Sequence, residues 1–533
     1  MQRITRSLIT SCLFLALISL GTIFFRLGGL PLTGSDEPRY ARIAEEMCRQ
    51  GNWVTPLLEG LPWLEKPPLY YWITIPFFAL FGISEAAARM GPALSALLAA
   101  AALFWLGTRL WDRMTGLMGA SIILTCVGGA GFARGASTDM PMAACLTVAI
   151  SILMAAAIES KFAFWKTAVA YVFLGLALLG KGPVAIVLAV GICLIFWFLD
   201  ERGGSFRKWR VLPGFAITMA VAVPWFWLAF RQNGYTFISI FFINHNLTRY
   251  VSDIHHHTQP FYYYLPIVLG LFFPWTGWLA LLIPKSFGSA IRSWRYWDRR
   301  SLFLGSWIVF PLLFFSFSSS KLAGYILPSL PPLALLLGAR IAKWLSNNIP
   351  ARLSATASWA QLISSAGVAI ATPLFFNSTY GGHLGAGLIL ALVMLVPAIF
   401  GFYFGIKRRM QAAFLATVLQ GFLIIIFTAQ LAFPFLGVYL SDKNIAQKAL
   451  SLRQPGESIA TFLYTSHSLN YYTGYQVSDL TVSLDTLAQL VRERQRILVV
   501  TETKYVEHIR RLPEIQVTVS GQYGDLTLME LIY

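Results

Sequence analysis

The chain has 533 residues, of which 56% are hydrophobic and only 12% charged, and its mean hydropathy is +0.63. A soluble domain carries about twice that charged fraction, so the composition excludes a water-soluble enzyme and indicates a multi-span helical membrane protein. The formal charge of +17 does not call for nucleic acid, because the positive residues gather at the ends of apolar runs, where membrane topology alone requires them.

Arg3 and Arg6 precede the apolar run Ser7–Phe25. It is longer than a signal-peptide core and is followed by no A-x-A cleavage site, so it reads as a retained anchor and the first of thirteen spans. The others are expected at 89–108, 114–133, 139–158, 165–180, 182–199, 211–230, 261–283, 302–318, 322–340, 358–376, 384–405 and 411–434. Pro67–Gly82 is apolar and aromatic, but it is short and opens with two prolines.

Charge decides that case. If Pro67–Gly82 does not cross, one side of the membrane collects Arg3, Arg6, Arg109, Arg113, Lys161, Arg202, Arg207, Lys208, Arg210, Lys285, Arg292, Arg295, Arg299, Arg300, Arg340, Lys343, Arg352 and Lys407 to Arg409. The opposite short loops hold single cations such as Arg134, Lys181 and Lys321. The crowded side is then cytoplasmic, and a crossing at Pro67–Gly82 would destroy the asymmetry. That segment is therefore expected in the outer interface. Residues 1–440 form a transmembrane domain with outer loops 26–88 and 231–260.

Residues 441–533 change character. Short β-like runs at Ser458–Tyr464, Arg496–Thr501, Ile515–Val519 and Leu526–Ile532 alternate with helical patterns at Leu484–Arg494 and Lys504–Leu512, which predicts a small α/β domain on the outer side. Four of the five cysteines, Cys12, Cys126, Cys145 and Cys193, sit in apolar runs, and Cys48 stands alone, so neither a disulfide framework nor a zinc-finger spacing exists.

Several outer segments carry residues suited to chemistry. Asp36-Glu37-Pro38-Arg39-Tyr40 opens a helix whose apolar positions Tyr40, Ile43, Ala44 and Met47 recur at helical spacing until Gly51. The pattern predicts an amphipathic helix on the membrane surface, with Ser35 or Asp36 as its cap and Asp36 and Arg39 on one face. Glu65-Lys66-Pro67-Pro68 leads into the aromatic Leu69-Tyr70-Tyr71-Trp72. This reads either as an interfacial anchor or as a cation held near lipid-phosphate depth with Glu65 beside it.

Asp139 opens a span with no other charge, as a cap or as part of a site. Lys181 and Lys321, the latter four residues before Tyr325, lie against the positive-inside trend and point to an anion site. His245 and Glu65 have the chemistry to share a divalent ion, whereas the run His255-His256-His257 cannot turn every ring to one ion.

These runs resemble the GT-C glycosyltransferases and, within them, the lipid A aminoarabinose transferases. The resemblance is carried by Asp36 to Ala41, Gly51-Asn52-Trp53, Leu64 to Trp72, Arg134 with Asp139-Met140-Pro141, Lys181-Gly182-Pro183, Phe242 to Tyr250, and Lys321 to Pro328. It covers the membrane domain. The Asp-Glu pair alone is shared with protein O-mannosyltransferases, and Pro38 stands where the family pattern has Thr.

The resemblance implies an α-helical polytopic fold of about thirteen spans with a C-terminal periplasmic α/β domain, in a bacterial inner membrane. It implies Asp36 and Asp139 at the catalytic centre, with Arg39, Lys66 and Tyr325 on a carrier phosphate, joined by the outer cations Lys181 and Lys321. Glu37, Tyr40, Tyr70 and Arg134, from the same runs, are candidates for substrate contact. A family metal site, for zinc or magnesium, maps onto Glu65 and His245, and no nucleotide cofactor is expected.

The implied reaction moves 4-amino-4-deoxy-L-arabinose from undecaprenyl phosphate to the phosphates of lipid A, or, alternatively, a related sugar to another glycan or to protein hydroxyls. A lipid-linked sugar flippase is the reading from another class. It would need charges buried in mid-span, and those are nearly absent.

Overall fold

The computed structural model describes residues 2–201, 205–248, 250, 259–283, 298–346, 350–380 and 382–533. Arg202, Arg249, the run from Asp253 to His257, Lys285, Arg292 and Arg295 lie outside them.

The chain is a helical bundle with a small sheet domain at its C-terminal end. Among the described residues, eight helices are long and apolar enough to cross a membrane, and two more spans result if each of two bent helix pairs counts as one. The predicted thirteen is not reached by length and composition alone. The three remaining candidates coincide with the apolar helices Leu8–Phe24, Val184–Leu199 and Arg299–Ser316. Outward-facing Leu212, Phe198 and Leu392 stay exposed, as lipid-facing positions do.

The first half builds the site. Helices α1 (Gln2–Ser19) and α2 (Asp36–Gln50) are followed by a two-residue hairpin, β1 (Leu57–Leu58) with β2 (Leu61–Pro62), and α3 (Leu69–Phe81). Then come α4 (Glu85–Leu110), α5 (Arg113–Thr125), α6 (Val127–Ala133), α7 (Asp139–Ile158), α8 (Phe164–Lys181), α9 (Val184–Leu199), α10 (Ser205–Trp209) and α11 (Val211–Phe237). Helix α3 has 13 residues, short of the roughly 20 that a span needs. Helix α7 is central: 94% of its most apolar window is buried. It packs against α4 and α8 and carries Asp139 at its first position.

Helix α2 begins at Asp36, as the sequence predicts, and Gly51 stops it in a left-handed conformation at φ 64°. Two expectations fail. The Ser35 side chain makes no capping hydrogen bond. The apolar face of Tyr40, Ile43, Ala44 and Met47 is spent on protein rather than left for lipid, since it packs with Tyr70, Tyr71 and Ile75 of α3 and with Tyr471 and Tyr472 of the C-terminal domain. A strong apolar stripe fixes that a helix lies on something; the partner comes from the rest of the chain.

The C-terminal domain is a five-stranded sheet in the order β4-β3-β5-β7-β6, with β3 (Ile459–Phe462), β4 (Val477–Thr481), β5 (Arg496–Glu502), β6 (Gln516–Tyr523) and β7 (Leu526–Ile532). Strands β3, β4 and β5 run parallel, and β7 is antiparallel to β5 and β6. Alternation along β5 separates two apolar layers. Ile497 and Val499 pack under the helix Leu484–Arg494, and Leu498 and Val500 under Lys443–Leu452 and His467–Tyr472.

Sequence patterning predicts β3, β5, β6, β7 and the helix Leu484–Arg494. It does not anticipate β4 or the helices Lys443–Leu452 and His467–Tyr472. The predicted helix Lys504–Leu512 shrinks to a 3-10 turn, Thr503–Tyr505, and the single turn Val506–Ile509.

Candidate active site

A buried ion pair sets the first loop in place. Arg89, on α4, is 2% exposed and uses all five guanidinium N–H groups. Two donate to Glu37, at 2.9 and 2.7 Å, and three to the carbonyls of Leu27, Leu30 and Pro31. Glu37 also accepts from Thr33 N–H at 2.9 Å, Thr33 Oγ1 at 3.0 Å and Ala136 N–H at 2.7 Å. Burial alone would raise its pKa, but the charge and hydrogen bonds of Arg89 with the two backbone donors outweigh it and hold the carboxyl below its usual value. One carboxylate thus fastens the start of α2 to α4 and to the turn that precedes Asp139.

That fastening brings the two candidate carboxylates toward each other. Asp36, half-exposed, pairs with Arg39, whose guanidinium lies 4.9 Å from the centre of the Trp63 ring. Tyr40 is buried within electrostatic reach of Asp36, Arg39 and Asp139. Burial pushes its phenol far above the usual range, with both aspartates adding and Arg39 opposing, so the hydroxyl keeps its proton.

Asp139 pairs with Lys181 because α7 and α8 are packed neighbours and these residues lie at adjoining ends. Lys181 Nζ sits 4.6 Å from the centre of the Tyr325 ring. The backbone next to Tyr325 passes so close that a methyl group on Gly324 would stand 2.7 Å from Asp139 Oδ2, so a side chain there would displace the carboxylate.

Beside these pairs opens a cavity of about 360 Å³. Its polar lining is Glu65, Lys66, Lys181, His245, Tyr250, Tyr325, Ser318 and Ser320. Its apolar wall is Pro183, Val184, Val187, Phe242, Phe314 and Phe315. The Pro67-Pro68 pair places Lys66 just before α3. Helix α11 breaks at Gly234, and the π-helical stretch Ile238–Thr248 that follows delivers Phe242 and His245. Thr55 holds this region to the first loop, donating to Gln232 at 2.6 Å and accepting from Asn233 at 2.9 Å.

His245 Nε2 lies 3.4 Å from Glu65 Oε1. Among the described residues no group of three or more His, Cys, Asp or Glu side chains is placed to hold a metal. A closed zinc site is therefore not formed by them, and the pair suits a divalent ion whose remaining ligands are substrate oxygens or water.

The structure gathers Asp36, Arg39, Tyr40, Glu65, Lys66, Asp139, Lys181, His245 and Tyr325 into one region. It places four other predicted site residues elsewhere. Glu37 is consumed by Arg89. Tyr70 is fully buried and donates to the Ala88 carbonyl at 2.9 Å. Arg134 donates to the carbonyls of Ile23 and Arg26 at 3.0 and 3.1 Å, and burial with the nearby Arg89 charge lowers its pKa to about 10, which leaves it charged at neutral pH. Lys321 is 6% exposed and donates to the Ser318 and Gln259 carbonyls at 2.6 and 2.9 Å. Each is engaged by backbone or by a partner, although Arg134 Nε is left without one, and none lines the cavity.

Sequence reasoning missed Arg89, Tyr250 and the Phe314-Phe315 pair. Arg89 had a misleading local partner in Glu85, four residues earlier, which is instead engaged by Lys443 at 2.6 Å and the Tyr472 hydroxyl at 3.0 Å.

A family model described as dolichyl-phosphate-mannose-protein mannosyltransferase matches residues 65–228. The undecaprenyl phosphate-alpha-4-amino-4-deoxy-L-arabinose arabinosyl transferase of Erwinia tasmaniensis is 36% identical over 319 residues, covering 58% of this chain and 55% of that protein. Transferase 1 of the same description from Pseudomonas fluorescens is 28% identical over 449 residues, covering 81% of this chain and 76% of the relative. The chain thus spans just over half the length of the Erwinia relative. The crystal structure of ArnT from Cupriavidus metallidurans bound to undecaprenyl phosphate superposes with a TM-score of 0.80 at 22% identity, over 99% of this chain and 98% of that one. Its apo form gives 0.77. The fold is that of the Cupriavidus protein throughout.

Proposed function

We propose that this multi-pass membrane protein is a glycosyltransferase that moves 4-amino-4-deoxy-L-arabinose from undecaprenyl phosphate to a phosphate of lipid A. The reaction takes place on the periplasmic face of the bacterial inner membrane. The observation that carries the reading is the cavity, lined both by lysines and tyrosines and by an apolar wall, beside two ion-paired aspartates. A prenyl phosphate combines the same two chemistries, and the similarity to arabinosyl transferases supports the choice of sugar and carrier.

In this reading the bond between the anomeric carbon and the carrier phosphate breaks, and an acceptor phosphate oxygen forms the new bond to that carbon. Lys66, Lys181 and the Tyr325 hydroxyl stabilise the negative charge on the departing undecaprenyl phosphate; a fixed donor of this kind is worth about a hundredfold or more in rate. The acceptor is already anionic, so Asp36 has no proton to remove. It holds Arg39 in position for the acceptor, and Asp139 holds Lys181. Glu65 and His245 would hold a divalent ion, which when bound supplies further charge neutralisation at the phosphate.

The match to a mannosyltransferase family model supports a second reading, in which the acceptor is a hydroxyl and Asp36 takes its proton. Mass spectrometry of lipid A from cells with and without the protein separates them. A pentosamine added to lipid A phosphate supports the first reading, and unchanged lipid A with a newly glycosylated hydroxyl substrate overturns it.

A further inference from the structure

The C-terminal domain reaches the catalytic edge through one short helix, His467–Tyr472, which packs on α2. Its seat is well determined. The Leu32 N–H donates to the Tyr472 hydroxyl at 2.7 Å, and Asn470 Nδ2 donates to Glu59 at 3.4 Å. Ser466 caps the helix by accepting from the N–H groups of Ser468 and Leu469. Its first residue, His467, lies within electrostatic reach of Arg39 and Asp36. His467 Nδ1 is enclosed and has no hydrogen-bond partner. A buried polar nitrogen left unpaired next to a site is costly unless a ligand or water meets it.

His467 is not part of the lining of the donor cavity, although it lies within electrostatic reach of Asp36 and Arg39. Arg39 is also within electrostatic reach of Glu65, which lines the donor cavity. An anion beside Asp36 meets one carboxylate and is served by donors on more than one side: Asp36 engages only Nη2 of Arg39, and further donors complete its shell. An imidazole N–H is such a donor.

We infer that His467 binds the acceptor phosphate, so that the acceptor subsite is built from α2 on one side and the C-terminal domain on the other. Burial and the Arg39 charge hold its pKa down, with Asp36 opposing, so the empty site carries a neutral ring and no surplus charge. This inference rests on the transferase reading above.

The test uses the full-length protein with purified lipid A as acceptor at saturating donor, together with binding of undecaprenyl phosphate alone. His467→Ala is expected to raise the acceptor KM about tenfold, the scale of a hydrogen bond to a charged group. Carrier binding and thermal stability should be unchanged. His467→Asn, which keeps a donor near the Nδ1 position, should restore most of the loss. An acceptor KM within twofold of wild type in His467→Ala overturns the inference, as does an equal loss of carrier binding and stability, which marks a purely structural residue. A wild-type protein that transfers no aminoarabinose defeats the transferase reading itself, and this inference with it.

Discussion

Arg89→Ala tests the claim that Glu37 is a strut rather than a substrate contact. The change strips Glu37 of its buried counter-charge and three backbone carbonyls of their donor. Breaking a buried pair from one side costs about 3–5 kcal/mol, because the remaining charge stays desolvated. Arg89→Lys should cost less, about 2 kcal/mol, since an ammonium has three donors against five and each lost hydrogen bond is worth about 1 kcal/mol. Glu37→Gln combined with Arg89→Met should cost less than the sum of the singles.

The assay is denaturant unfolding in detergent, with carrier binding in parallel. Glu37 also fixes a pH signature. Its folded pKa lies below the ordinary 4.5, so its stabilisation is fully present above that value and is lost as pH falls through the folded pKa. Arg89→Ala should remove this acid limb. A cost under about 1 kcal/mol, or an unchanged acid limb, would refute the strut, since neither is compatible with a pair this buried.

Three further outcomes follow from the site. Lys66→Ala should lower transfer about a hundredfold or more with normal expression, whereas Lys321→Met should lower stability and leave carrier affinity alone; the reverse pattern would mean the cavity has been assigned to the wrong lysine. Asp36→Asn and Asp139→Asn should each give folded protein with little transfer, and the double variant should be hardly worse than the worse single, because residues acting as a unit are non-additive. Substantial activity in both would reduce them to helix caps, each worth about 1 kcal/mol. Reporter fusions after Arg113 and after Tyr533 should read cytoplasmic and periplasmic respectively, and one side for both would break the topology.

The multi-span helical character was legible because the length and hydropathy of a span are properties of one short window. Candidate residues were legible where a polar group interrupts an apolar surrounding, as at Asp139 and Lys66. What the sequence could not convey was the target of each polar group. Glu37 and Arg89 are 52 residues apart, and Lys321 reaches a carbonyl 62 residues away. A lysine aimed at substrate and a lysine aimed at backbone look alike in a string of letters. The C-terminal helix His467–Tyr472 escaped notice because one and a half turns carry no periodicity to detect. It is held by Ser466 and by contacts to α2 that exist only once both ends of the chain have met.

That meeting orders events during synthesis. The loop bearing Asp36 and Arg39 is made among the first residues, and the helix that closes over it is among the last hundred. Until the C-terminal domain has folded, Leu32 lacks the Tyr472 hydroxyl and Glu85 lacks Lys443. A ribosome-bound or prematurely terminated chain can therefore be fully inserted and still have an unfinished centre. Folding of the C-terminal domain, rather than insertion of the helices, is what completes the packing around α2.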